Sequence, residues 1–159
     1  MSHPRARAQS ALLVGHDWGG TVAWTNAMNH PEVVDRLAIL DADHPRRLQQ
    51  RLRNPRQLLR TWYFFFFFFA LPGLPERVVR ARRFRFFRCF LRDARPAYTP
   101  QEIDRYVDAW SQPAAAAAMI NYYRCSVRQS PKKAKAELRP ISAPTLVIWG
   151  QRDRYLGPN

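Results

Sequence analysis

The chain of 159 residues has two cysteines and four histidines, and each scarcity removes a class of explanation. Cys89 and Cys125 stand far apart with no C-x-x-C partner, which excludes a disulfide scaffold and a thiolate metal cluster. Both read as free, buried or half-buried thiols of a reducing compartment. His3, His16, His30 and His44 fall in the first third, with no paired histidines at helical spacing beside a Glu. No metal and no cofactor is therefore expected. Long apolar runs are missing too: the longest, Trp62 to Leu74, is interrupted by Pro72 and Gly73 and is too short to span a bilayer. Nothing near the start has the form of a signal peptide. The expectation is a cytoplasmic protein with no membrane partner. Acidic residues are scarce as well, 12 against 26 basic ones, for a net charge of +14. Lysine occurs only at Lys132, Lys133 and Lys135, so arginine carries the surplus. Such a chain can attract phosphate backbones or anionic lipid. The arginines, however, spread from Arg5 to Arg154 without forming one stripe, and no nucleic-acid motif accompanies them. An arginine-biased codon usage gives the same composition, and no nucleic-acid partner is expected.

What the chain does have is 47% apolar residues, enough for one domain with a sizeable core. Its most informative stretch is Leu12-Leu13-Val14-Gly15-His16-Asp17-Trp18-Gly19-Gly20, which reads as a buried strand, a sharp turn and a helix that begins at the glycines. Two accounts fit. In the plainer one this is an ordinary tight turn in which Asp17 caps the helix, since Asp is a favoured N-cap. In the other it is a G-x-nucleophile-x-G elbow with Asp17 in the nucleophile position, where small flanking residues let strand and helix approach closely. An Asp there attacks as a carboxylate and forms an ester that water later cleaves. That chemistry suits an sp3 carbon, such as an epoxide carbon or one bearing a halide.

Residues 10 to 14 read as a strand and 19 to 29 as a helix whose Val22, Ala23 and Ala27 face a core, stopped by His30-Pro31. Arg36 to Asp41 is a second buried strand, and strand, helix, strand in this order implies parallel pairing. From Arg46 to Arg139 the chain reads as helical. Within it Thr99-Pro100-Gln101-Glu102 is a capping box with Pro at the first helical position. Ile103, Tyr106, Val107 and Trp110 follow on one apolar face. Ala114 to Ala118 opens another helix that runs into Asn121-Tyr122-Tyr123-Arg124, and Pro144 to Trp149 is a third buried strand ending in Gly150-Gln151-Arg152-Asp153. The run Phe64 to Phe69 reads as an apolar plug between the helical segment and the core. Six consecutive aromatics cannot all face one way, so some must line a cavity or stay exposed. The expected organisation is an α/β core over 1–45 and 140–159 with a helical lid at 46–139 inserted between them.

Taken in order, VGHDWGGTVAW, HPEVVDRLAILDADHP, WYFFFFFFALPGLPE, YTPQEIDRYVDAWSQP, INYYR and APTLVIWGQRDRYLG resemble the epoxide hydrolases of the α/β-hydrolase superfamily. The resemblance implies a partial α/β-hydrolase fold, parallel strands with an inserted helical lid, and a small-molecule epoxide or related electrophile as substrate. It also implies roles. Asp17 matches the nucleophile, and Trp18 the residue whose backbone N–H helps hold the oxyanion during ester hydrolysis. Asp153 matches the acid that orients the catalytic histidine; otherwise it is a loop Asp at a strand end. Tyr123 matches one of two lid tyrosines that donate to the epoxide oxygen, a task a phenol suits because the leaving alkoxide is strongly basic. Otherwise it is a core aromatic on an amphipathic helix. The second tyrosine belongs just before the Leu71-Pro72 turn, which points to Tyr63; the long phenylalanine run leaves a register in which Phe65 takes that place. His16 is implied to shape the oxyanion side, and neither it nor His44 is a candidate for the water-activating base.

The resemblance has gaps. The family order is nucleophile, acid, histidine, yet no histidine follows Asp153 and no HGxP loop precedes the elbow. These gaps imply a fragment with three strands, exposed sheet edges and slow hydrolysis of the ester. A haloalkane dehalogenase-like hydrolase and a non-catalytic remnant acting as an interaction module are the alternatives, and an esterase is excluded by the missing elbow serine. A homo-oligomer is left open.

Overall fold

The structure is a computed structural model that describes residues 9–69, 73–93, 97–128, 138–153, 155 and 156. It divides into two compact units, one of residues 1–61 with 130–159 and one of 62–129.

In the first unit the apolar run before the elbow forms β1 (Ala11–His16), and the chain turns at Asp17 into α1 (Trp18–Asn29). A short 3-10 turn at Pro31–Val33 leads into β2 (Val34–Leu40), and β3 (Thr145–Ile148) joins from the far end of the chain. The sheet order is β1-β2-β3 and both pairings are parallel, with Val14 opposite Ala38 and Ile39 opposite Val147. The expected βαβ unit is present. Helix α1 lays Ala23, Trp24, Ala27 and Met28 on Val34, Leu37, Ile39 and Ala42. Each fully buried aliphatic side chain such as Leu37 or Ile39 stabilises the fold by about 1.5–3 kcal/mol. The strands were expected to be buried, and this holds only for part of β2. Leu12 and Val14 are 69% and 66% exposed and every residue of β3 is exposed, because α1 covers one face of the sheet. Two short helices follow β2. His44 caps α2 (Pro45–Arg51) by accepting from the Arg46 N–H, and Asn54 caps α3 (Pro55–Arg60) in the same way. By contact both helices group with the sheet.

The second unit holds α4 (Trp62–Phe69), α5 (Leu74–Asp93), α6 (Pro100–Trp110) and α7 (Ala115–Arg128). The capping box forms as expected: the Thr99 N–H donates to Glu102 at 2.7 Å while the Glu102 N–H donates to Thr99 Oγ1 at 3.3 Å. Ile103 and Val107 are buried behind it, whereas Tyr106, expected on the same face, is exposed. The phenylalanine run is helical. Phe67 is fully buried with Val79, Phe84, Val107, Ala116 and Ile120, while Phe65 is 40% exposed. That split follows from the helical period, which turns successive rings to different sides. Helix α5 is broken at Ala81–Phe84, where Arg82, Arg83 and Phe84 take positive φ. Glu76 of α5 accepts two hydrogen bonds from the Arg124 guanidinium of α7, at 2.5 and 3.2 Å. Cys89 and Cys125 are free, as expected, but both are exposed and not half-buried. No helix among the described residues is long and apolar enough to cross a membrane.

Candidate active site

The elbow follows from two glycines, Gly15 and Gly20. A Cβ on Gly15 would meet Gly19 O at 2.6 Å and Ala23 Cβ at 2.8 Å, and a Cβ on Gly20 would stand 2.3 Å from Ala42 Cβ. Strand, helix and the end of β2 therefore approach as closely as backbone permits. Between them Asp17 is held at φ 52°, ψ −123°, a conformation that costs an L residue about 1–3 kcal/mol. Its side chain makes no capping bond to α1, unlike the cap that the plainer account of this turn expected. The neighbouring Trp18 N–H nevertheless favours the charged form of the carboxylate. The first turn of α1 begins there, and its N–H groups add positive potential at the same point.

Asp17 is exposed as a residue, yet nearby protein partly desolvates its carboxyl. That desolvation pushes its pKa above the ordinary carboxylate value. The Trp18 N–H and the charge of His16 oppose the shift, and the charge of Asp153 adds to it. Asp17 and Asp153 thus sense one another within the first unit. Trp18 is half-buried, and His16 is exposed beside the nucleophile position.

Asp153 sits in the loop after β3. Its Oδ1 accepts from the Tyr155 N–H at 2.7 Å and the Leu156 N–H at 3.0 Å, and its own N–H donates to Gly150 O at 3.0 Å. Two donors on one oxygen fix the carboxylate plane. Among the described residues nothing bonds Oδ2. Where β2 and β3 end, Asp41 takes φ 45° and accepts the Gly150 N–H at 2.6 Å.

Residues that the sequence did not single out hold this loop. Asp43, 7% exposed, pairs with the Arg51 guanidinium at 2.7 Å. Burial still pushes its pKa up, outweighing the attraction of Arg51. Arg51 also lies over the Trp149 ring, 5.1 Å from its centre. Gln57 donates from α3 to Tyr155 O at 2.6 Å, across 98 residues of sequence. No local signal could have shown these partners. His44, whose pKa burial lowers, accepts at Nδ1 from Arg46 N–H and packs edge-on to Trp24.

The two candidate tyrosines meet inside the second unit. Their ring centres are 6.3 Å apart at 78°, with Tyr123 also 4.9 Å from Phe67 and 5.1 Å from Phe64. Both are half-buried. Phe65, the alternative to Tyr63, is among the exposed residues of α4. Among the described residues no group of His, Cys, Asp and Glu could hold a metal.

A parallel βαβ sheet, a strained Asp between glycines and an acid after β3 define an α/β-hydrolase type of architecture. The sequence pattern of the alpha/beta hydrolase fold matches residues 7–159, and the chain belongs to that family. Epoxide hydrolase 3 of Xenopus tropicalis is 36% identical over 153 residues, which cover 91% of this chain and 40% of the relative. The AB hydrolase superfamily protein YfhM of Bacillus subtilis is 34% identical over 151 residues, covering 93% and 51%. Among solved structures, an epoxide hydrolase of Bacillus megaterium complexed with its product superposes with a TM-score of 0.77 at 25% identity. That match covers 96% of this chain and 56% of the other. The chain spans about half the length, or less, of the relatives it matches.

Proposed function

We propose that the chain carries the nucleophile, the acid and the proton donors of an epoxide hydrolase, with Asp17 as the attacking group. In this reading an Asp17 carboxylate oxygen attacks an epoxide carbon from the side opposite its C–O bond. That bond breaks, and the oxygen takes a proton from Tyr123 or Tyr63, leaving an alkyl ester on Asp17 and a free hydroxyl. Water then adds to the ester carbonyl, and the Trp18 N–H holds the oxyanion that forms. Collapse releases a diol and restores the carboxylate. Asp153 orients the base that takes the proton of that water, the part a histidine plays in this family order. No histidine follows Asp153 in the sequence, so the 159 residues alone are expected to open epoxides and then clear the ester slowly.

The reading rests above all on Asp17 at φ 52°, exposed and making no side-chain capping bond. A relaxed turn has no use for that strain. Phenols also suit an epoxide better than a halide, because a departing alkoxide needs a proton and a halide does not. The test is mass spectrometry after incubation with an aryl or alkyl epoxide. A stable adduct on the peptide bearing Asp17 is expected, and a folded chain without one would refute the reading.

A further inference from the structure

The two backbone donors that fix Asp153 are themselves held, and the chains of contact behind them start in the segment after β2. Along one, Gln57 donates to Tyr155 O at 2.6 Å, and the Tyr155 N–H donates to Asp153 Oδ1 at 2.7 Å. Along the other, Asp43 pairs with Arg51 at 2.7 Å and Arg51 lies over Trp149. The Trp149 indole N–H donates to Leu156 O at 2.9 Å, and the Leu156 N–H donates to the same Oδ1 at 3.0 Å. Both chains converge on one carboxylate oxygen. The strand β3 ends five residues before Asp153, so pairing within the sheet does not reach the loop.

The residues at the starting points are unusual ones to bury. Gln57 is 7% exposed in a helix whose neighbours are arginines and leucines, and the acid-loop carbonyl is the acceptor its amide finds. A buried amide is tolerated when it is bonded, and removal of its partner costs its full desolvation. Arg51 offers a planar guanidinium that can pair with a carboxylate and stack on an indole at once, which an ammonium cannot.

We propose that Gln57 and Arg51 are positioning residues for Asp153: they set the acid loop so that Oδ2 remains presented to a base while Oδ1 is held. The proposal rests on the epoxide-hydrolase reading for its catalytic sense. Neither residue touches substrate or the attacked carbon.

The test uses the 159-residue chain, an epoxide and added imidazole as a free base. In the unmodified chain, imidazole is expected to speed hydrolysis of the Asp17 ester. In Gln57→Met and Arg51→Met the rate of adduct formation stays unchanged, whereas the imidazole-stimulated hydrolysis falls about tenfold, as for one lost polar contact in the orienting chain. Hydrogen exchange supplies a readout independent of activity. The Tyr155 and Leu156 amides lose protection while Val14 and Ile39 in the sheet keep theirs. The two variants are read in parallel, so that unfolding of one leaves the other decisive. Unchanged hydrolysis in a folded variant, an ester that imidazole never clears, or acid-loop amides that keep their protection overturns the proposal. A folded chain that forms no adduct refutes the epoxide reading itself, whereas an adduct whose hydrolysis ignores both substitutions removes only the positioning roles.

Discussion

The sheet unit and the helical unit hold their candidate groups by opposite means. Around Asp17 and Asp153 the geometry is made by backbone: glycines at van der Waals limits, a positive φ, and N–H groups aimed at carboxylates. Around Tyr63 and Tyr123 it is made by rings packed edge-on or tilted against rings, with Phe64 and Phe67 as the walls. Backbone geometry tolerates almost no substitution and specifies one arrangement. Aromatic packing tolerates exchange of similar shapes, and it specifies position less sharply.

The largest expected effect separates the two directly. Asp17→Asn keeps the shape of the elbow and removes the proposed nucleophile, so adduct formation should vanish while circular dichroism stays unchanged. Tyr123→Phe removes one proton donor and leaves the packing, and adduct formation is expected to slow by about 100- to 10,000-fold without disappearing. Tyr63→Phe should behave in the same way, and Phe65→Leu should alter the rate little. If Phe65→Leu proves the more damaging of the two, the second tyrosine position has been misassigned.

Stability should show the same contrast at a smaller scale. Gly20→Ala drives a methyl into Ala42, with no flexible side chain to yield, and is expected to cost about 1–3 kcal/mol in denaturant unfolding. Gly19→Ala, one residue away, meets nothing within 4 Å and lies within a helix, so it should stabilise by up to about 1 kcal/mol. Equal effects at both positions would break the claim that close approach, and not sequence motif alone, sets the elbow. In the helical unit Thr99→Ala removes the cap of α6 and should cost about 1 kcal/mol.

The same division explains what the sequence revealed. The elbow was legible because its rule is local: small residues at fixed offsets from Asp17 leave few other conformations. The capping box at Thr99 and the parallel βαβ order were legible for the same reason. Burial of the strands was not, since an apolar run such as that of β3 states its preference and not what covers it. Neither were Gln57 and Arg51, whose significance lies in partners that the fold brings from far along the chain. The meeting of Tyr63 with Tyr123 falls between these cases. The resemblance pointed to both, but the helical phase of six phenylalanines decides which ring turns inward, and composition is silent on phase.

Acid sharpens the comparison with the smallest effect. In the sheet unit burial raises the pKa of Asp17 and Asp43 above the ordinary carboxylate value. Between the unfolded and folded pKa the folded state then binds more protons than the unfolded chain, so stability falls as pH rises through that window and is regained below it. In the helical unit the signs reverse. The Arg124 guanidinium lowers the pKa of Glu76, and the Thr99 backbone N–H lowers that of Glu102. There the unfolded chain binds more protons, and stability present above the ordinary carboxylate value is lost as pH falls through it. Lowering the pH should therefore weaken amide protection at Val107 and Ile120 before it weakens protection at Leu37 and Ile39. The proposed nucleophile follows the first pattern in rate. Adduct formation needs the Asp17 carboxylate, so its rate should begin to fall at a higher pH than an ordinary carboxylate would give. A profile that declines only below the ordinary carboxylate range would mean that protein does not crowd Asp17 as the structure has it.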